Sequence, residues 1–152
     1  MARLLLLLTL LIPSTSIMGS WLQPEPLSKY GNNEIYSVHN KTYHVLKDIH
    51  SFQQYGKASW YGEPFHGRKT STMETFDMNL LTAAHKELPI PCYVRVTRVD
   101  NNHSVVVRVN DRGPFHPGRV IDLSRAAAQK LGFIEQGTTD VRIDLLVAPK
   151  VH

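Results

Sequence analysis

Three acidic residues of this 152-residue chain stand in surroundings that suit the chemistry of carboxyl groups, namely proton transfer and the stabilisation of positive charge. Asp111 lies in Val109-Asn110-Asp111-Arg112-Gly113-Pro114, at the end of a β-branched run, where the Gly-Pro pair turns the chain away and leaves the acid at the rim of a sheet. Asp122, in Val120-Ile121-Asp122-Leu123-Ser124, sits among apolar residues just before a helical stretch, and Glu74 lies in the polar segment Thr70-Ser71-Thr72-Met73-Glu74. Each also has a plain structural role open to it. Asp111 can cap its turn or pair with Arg112, Asp122 can bind backbone N–H groups, and Glu74 can be a solvated loop acid.

Other chemistries lack their residues. There is no Gly-x-Gly-x-x-Gly, no Walker motif, no His-Glu-x-x-His and no Gly-x-Ser-x-Gly. The chain has eight histidines, but His44, His50, His66, His85, His103 and His116 show no ligand-like pairing, so neither a metal nor another cofactor is expected. Cys92 is the single cysteine; no disulfide can form within the chain, and its apolar neighbours predict a small buried hydrophobe.

The elements that must position the carboxylates are mostly strands. Tyr93 to Val99 and Ser104 to Val109 are β-branched runs joined by Asp100-Asn101-Asn102, which predicts a hairpin ending at Val109, with Asp111 just beyond it. Ser124 is placed to cap a short helix over Arg125 to Leu131, and Gly132 to end it. From Asp140 to Val147, Val141, Ile143 and Leu145 alternate with Arg142 and Asp144, a strand with one wet face. Tyr36 to Val38, a turn at His39-Asn40 and Thr42 to Val45 predict a hairpin arm. Short strands, little helix and no repeat argue for a compact barrel.

Length allows one domain with a real core. Met1-Ala2-Arg3 followed by the apolar run Leu4 to Ile12, Pro13 and small residues reads as a signal peptide over residues 1–20, too short an apolar run to span a bilayer. An exported, periplasmic protein is therefore expected, and with no cysteine to accept a lipid at the end of that segment, a soluble rather than anchored one. Residues 21–55 read as linker and β-arm, 56–148 as the barrel and 149–152 as a short tail. The formal net charge of +4 suits an anionic polymer, whereas basic residues scattered singly, without interleaved aromatics, argue against nucleic acid.

Five segments, in order, closely resemble motifs of the rare lipoprotein A family: Gly56-Lys57-Ala58-Ser59-Trp60-Tyr61-Gly62; Phe65-His66-Gly67-Arg68-Lys69-Thr70; Leu81-Thr82-Ala83-Ala84-His85; Val109 to Phe115; and Arg119-Val120-Ile121-Asp122-Leu123-Ser124. The resemblance implies a mainly β fold, a six-stranded double-psi β-barrel with one or two short helices, and a lytic transglycosylase that cuts between N-acetylmuramic acid and N-acetylglucosamine in glycan stripped of stem peptides, leaving a 1,6-anhydro end. It implies Glu74 and Asp111 as catalytic carboxylates with His85 in the same groove, and Asp122 as a further catalytic residue. Asp111 is expected to be the acid/base and Glu74 the charge stabiliser, with the roles open to exchange.

Trp60, Tyr61 and Phe65 are the candidate sugar-stacking rings, Tyr61 foremost, and Arg112 is a further substrate-binding candidate. Expected partners are peptidoglycan strands and division-site proteins, though the sporulation-related repeat that brings many relatives to the septum is not seen; the chain is expected to be a monomer. The main departure from the family is Thr72-Met73 where Asn-Gly is usual, so a positive φ there would fall on methionine. The competing functions are a non-catalytic, expansin-like glycan-binding module and a protein-interaction or inhibitor module on the same barrel.

Overall fold

The computed structural model describes residues 22–151, so the signal-peptide reading of residues 1–20 lies outside the described residues. The strands are β1 (Ile35–Val38), β2 (Lys41–His44), β3 (Gln53–Tyr61), β4 (Thr82–Ala84), β5 (Cys92–Arg98), β6 (Ser104–Asp111), β7 (Arg119–Ser124) and β8 (Thr138–Val147), with helix α1 (Arg125–Leu131) between the last two and a 3-10 turn over Glu63–Phe65. Strands β3 to β8 close into a six-stranded barrel in the order β3-β7-β4-β6-β5-β8. Two of its pairings, β3 with β7 and β4 with β6, are parallel and cross over in sequence, which makes this a double-psi β-barrel.

The barrel is filled by one face of each strand. Ala58, Val94, Val96, Val107, Val109, Ile121, Leu123, Val141 and Ile143 are buried inside, and Ala127, Ala128 and Leu131 of α1 pack on the same core. Cys92 joins them, and burial pushes its thiol up to about 12, so it behaves as a small hydrophobe. The helix starts where Ser124 Oγ accepts the Ala127 N–H at 3.2 Å and stops at Gly132, whose φ is +73°.

The hairpin β5–β6 runs in register from Cys92 opposite Val109 to Thr97 opposite Ser104, and β6 continues two residues beyond the predicted end, so Asp111 is its last residue. The last strand also begins two residues early, at Thr138, and the barrel begins at Gln53 rather than Gly56. The arm hairpin β1–β2 turns at His39 and Asn40, both in the left-handed region.

The stretch before the arm is no free linker. Glu25 and Leu27 exchange backbone hydrogen bonds with Lys150, Ser28 N–H donates to Ile90 O at 3.0 Å, and Asn32 bonds to both the N–H and the O of Ile90. This strap has no apolar period because side-chain and backbone hydrogen bonds, rather than a buried face, hold it down.

Candidate active site

One row of residues crosses four adjoining strands. Ser59 of β3 pairs with Asp122 of β7, Asp122 with Ala84 of β4, and Ala84 with Asp111 of β6. Paired residues project to the same side of a sheet, and with strands ~4.8 Å apart the two aspartate backbones stand about 10 Å from each other. A methyl group is all that the intervening residue places between them.

Asp111 is held through one oxygen. Its Oδ1 accepts the Ser71 N–H at 2.9 Å, the Ser71 hydroxyl at 2.7 Å and the Arg112 N–H at 2.8 Å. No hydrogen bond among the described residues falls on Oδ2, which leaves that oxygen available to a ligand. Asp122 accepts a hydrogen bond from the Ser59 hydroxyl. Burial pushes its carboxyl above the usual aspartate range and Asp111 adds to that push, while the Ser59 bond and the charges of Arg119 and His116 oppose it.

Glu74 hangs on a loop stitched to the same strand end. Thr72 Oγ1 lies 2.7 Å from Glu74 Oε1 and 3.0 Å from the Asn110 carbonyl, and Arg108 Nη1 donates to Glu74 Oε2 at 2.7 Å. The loop needs a left-handed residue, and Met73 supplies it with φ +68° and a side chain 52 % exposed. Methionine therefore adopts the backbone that glycine would adopt freely, and the contacts that hold Glu74 are formed.

Two expected site residues lie beneath the surface. His85 is 1 % exposed and does not line a groove. Its Nδ1 accepts the N–H groups of Glu87 and Leu88, both at 3.1 Å, so Nε2 carries the proton and donates to Gln54 Oε1 at 2.8 Å. Burial, aided by Arg112 and Lys86, lowers its pKa to about 3, so the ring stays neutral. The backbone N–H of His85 donates to the Asp111 carbonyl at 3.0 Å, which makes it a positioning residue for that strand end.

The Arg112 guanidinium likewise turns inward. It donates to the carbonyls of Gly31 (2.9 Å), His85 (3.1 Å) and Leu88 (2.6 Å), with Asn32 Oδ1 at 3.3 Å. With these bonds made it braces the strap rather than offering itself to a substrate.

The expected stacking rings are also differently placed. Tyr61 stacks on Phe76 with centroids 4.3 Å apart, and its hydroxyl is buried without a hydrogen-bond partner among the described residues. Burial raises its pKa far above the ordinary phenol value, and Asp111 and Asp122 both contribute, so the phenol lies near both acids. Trp60 packs against the core; of the three only Phe65 is exposed, at 46 %, with the Arg68 guanidinium 5.6 Å over its ring and Tyr61 edge-on at 5.7 Å.

The ring beside the carboxylate row is Phe115. A Cβ built on Gly113, whose φ is +131°, would meet Phe115 at 3.7 Å and the Ala84 methyl at 3.9 Å. Tyr43 and Tyr36 of the arm pack against Phe115 at centroid distances of 5.4 and 6.3 Å. Sequence reasoning also passed over Ser59, Ser71 and Arg108, for which a hydroxyl or guanidinium near an acid in space leaves no local signal.

Among the described residues no three of His, Cys, Asp and Glu come together in a metal-binding arrangement. A cavity of about 600 Å³ opens between the strap, the segment 45–50 and residues 148–151, and none of Glu74, Asp111 and Asp122 lines it.

The comparisons agree with this architecture. The lytic transglycolase family matches residues 53–143. The chain is 55 % identical over 128 residues to the endolytic peptidoglycan transglycosylase RlpA of Vibrio cholerae, covering 84 % of this chain and 48 % of that protein. To the protein of the same name in Neisseria meningitidis it is 60 % identical over 115 residues, 76 % of this chain and 48 % of the relative. The chain thus spans about half the length of these curated relatives. Among solved structures, the Streptomyces papain inhibitor shares the fold, with TM-score 0.51 and 21 % identity over 62 % of this chain and 94 % of that one. By its barrel, its ordered motifs and these matches, the chain belongs to the lytic transglycolase family.

Proposed function

We propose that this protein is a lytic transglycosylase that cleaves the bond between N-acetylmuramic acid and N-acetylglucosamine in peptidoglycan strands, preferring strands free of stem peptides and leaving a 1,6-anhydro end. The observation that carries the reading is the alignment of Asp111 and Asp122 on either side of Ala84, beside the loop of Glu74. The name of the relatives, endolytic peptidoglycan transglycosylase, supplies the substrate class.

In this reading Asp111, oriented through Oδ1, uses Oδ2 to protonate the glycosidic oxygen as the bond to the anomeric carbon breaks. Glu74, an anion paired with Arg108, faces the positive charge that develops on the ring. The 6-hydroxyl of the same sugar then closes on the anomeric carbon and returns its proton to Asp111. No water enters the reaction, so a second carboxylate to activate one is not needed. A second assignment, in which Asp122 brings the proton, is favoured by the burial that raises its carboxyl. Phe115 and Tyr43 form the stacking surface for the sugar, with Phe65 exposed on the other loop.

In the same proposal the protein acts outside the cytoplasm, in the periplasm, as a monomer on peptidoglycan, with division-site proteins as its candidate partners; the signal-peptide pattern of residues 1–20 and the activity named for its relatives support that location. Incubation with amidase-treated peptidoglycan tests the function. Release of anhydro-muramyl products supports it, and glycan bound intact establishes the non-catalytic binding module instead.

A further inference from the structure

Arg108 lies between two acids that are far apart in sequence. Its Nη1 donates to Glu74 Oε2 at 2.7 Å, while Nε and Nη2 grip Glu25 of the strap at 2.6 and 3.1 Å. Glu25 is itself fixed: the Tyr93 hydroxyl donates to Glu25 Oε2 at 2.9 Å, its carbonyl accepts the Lys150 N–H at 2.7 Å, and the next residue bridges to Lys150. Forked pairing of a guanidinium with a carboxylate sets the plane of the guanidinium as well as its distance. The direction of the remaining N–H, the one on Glu74, follows from that plane.

Charge supports the same relation. The hydrogen bond from Arg108 holds Glu25 below the usual glutamate range, and the two acids hold Arg108 firmly in its charged form. A lone arginine beside Glu74 would spend its full charge on that carboxylate, whereas one shared with Glu25 aims Glu74 without wholly neutralising it. The strap touches the other acid's strand end too, through Arg112 and the carbonyl of Gly31.

We infer that Glu25 is a positioning residue of the active site, fixing Arg108 so that Arg108 aims Glu74, and that the strap of residues 25–32 is thereby part of the catalytic apparatus. This rests on the transglycosylase reading above. Glu25 acts through Arg108 on a carboxylate whose charge counts most as positive charge develops on the sugar, so its loss is expected to lower kcat and leave KM near the parent's.

The test compares unmodified protein, Glu25→Gln and Glu25→Asp in kcat, KM and thermal midpoint on amidase-treated peptidoglycan. The glutamine variant keeps the size and loses the charge; the aspartate variant restores the charge. Misplacing a reacting group by about 1 Å can lower turnover by about a hundredfold, and a smaller shift by about tenfold. A fall of that size in kcat for Glu25→Gln, with KM and thermal midpoint near the parent's and partial recovery in Glu25→Asp, supports the inference. Parental kcat in Glu25→Gln, or a loss that follows the thermal midpoint and that aspartate does not reverse, overturns it while the transglycosylase reading stands. An unmodified protein that releases no anhydro product overturns both.

Discussion

Asp111 and Asp122 flank Ala84, each in register with it on opposite sides, so strand β4 separates their backbones and only a methyl group stands between their side chains. The gap exists because residue 84 is small. In Ala84→Val the added carbons project into the space between the carboxyl groups; a strand tolerates valine, and overpacking costs about 1–3 kcal/mol. We expect a folded protein with an unchanged circular dichroism spectrum and turnover reduced at least about tenfold, the scale of a misplaced reacting group, read as release of anhydro products.

Met73 stands where the backbone favours glycine. A left-handed non-glycine residue costs about 1–2 kcal/mol, and the extra freedom of unfolded glycine offsets about 0.5–1 kcal/mol of the relief. Met73→Gly is therefore expected to raise stability by up to about 1 kcal/mol, measured as a shift in urea midpoint, with activity retained. Met73→Val, β-branched at the same φ, is expected to lower both.

His85 makes the fold sensitive to acid. In the folded protein its pKa lies at about 3, whereas in the unfolded chain it is that of free histidine, ~6.5. Between those values the unfolded chain takes up a proton that the folded one refuses, so this contribution is complete above the unfolded value and is lost as pH falls below it. By pH 5 the loss amounts to about 2 kcal/mol. Asp122, raised on folding, acts in the opposite sense: the folded protein takes its proton first, and stability is gained as pH falls through its folded pKa. Urea titrations from pH 7 to pH 5 are expected to show falling stability in the parent and a flatter dependence in His85→Gln.

Phe115 and Tyr43 form an aromatic surface beside the row, whereas Tyr61 is stacked underneath. Removing a partly exposed stacking ring costs about 0.5–1.5 kcal/mol of binding beyond its area. Phe115→Ala and Tyr43→Ala are expected to weaken co-sedimentation with glycan several-fold, and Tyr61→Ala to lower thermal stability instead.

How far the sequence leads can be judged from these residues. The barrel and its three acids are legible, since β-branched runs mark β5, β6 and β8 and the ordered motifs surround Asp111, Asp122 and Glu74. That Asp111 and Asp122 share Ala84 is not legible, because it depends on β4 pairing parallel to β6 and antiparallel to β7, and three residues carry no register signal. Which of the rings is exposed is not legible for a related reason. Tyr61 ends a strand, and only the folded 70–76 loop, which brings Phe76 against it, decides that its ring is covered. The strap reads as linker because Glu25, Gly31 and Asn32 are held by arginines and backbone groups from distant segments. Burial of His85 and Arg112 went unseen likewise: a polar residue in a motif suggests chemistry, and only the count of its hydrogen bonds reveals a brace.

The central claim is that Asp111 handles the proton in a non-hydrolytic cut. Mass spectrometry of the products formed from amidase-treated peptidoglycan, by the unmodified protein and by Asp111→Asn, tests it most directly. The account predicts 1,6-anhydro-muramyl ends with the unmodified protein and none above background with Asp111→Asn, although the variant folds. Anhydro products at the parental rate from Asp111→Asn would contradict the assignment and move the proton to Asp122; reducing ends in place of anhydro ends would contradict the reaction itself.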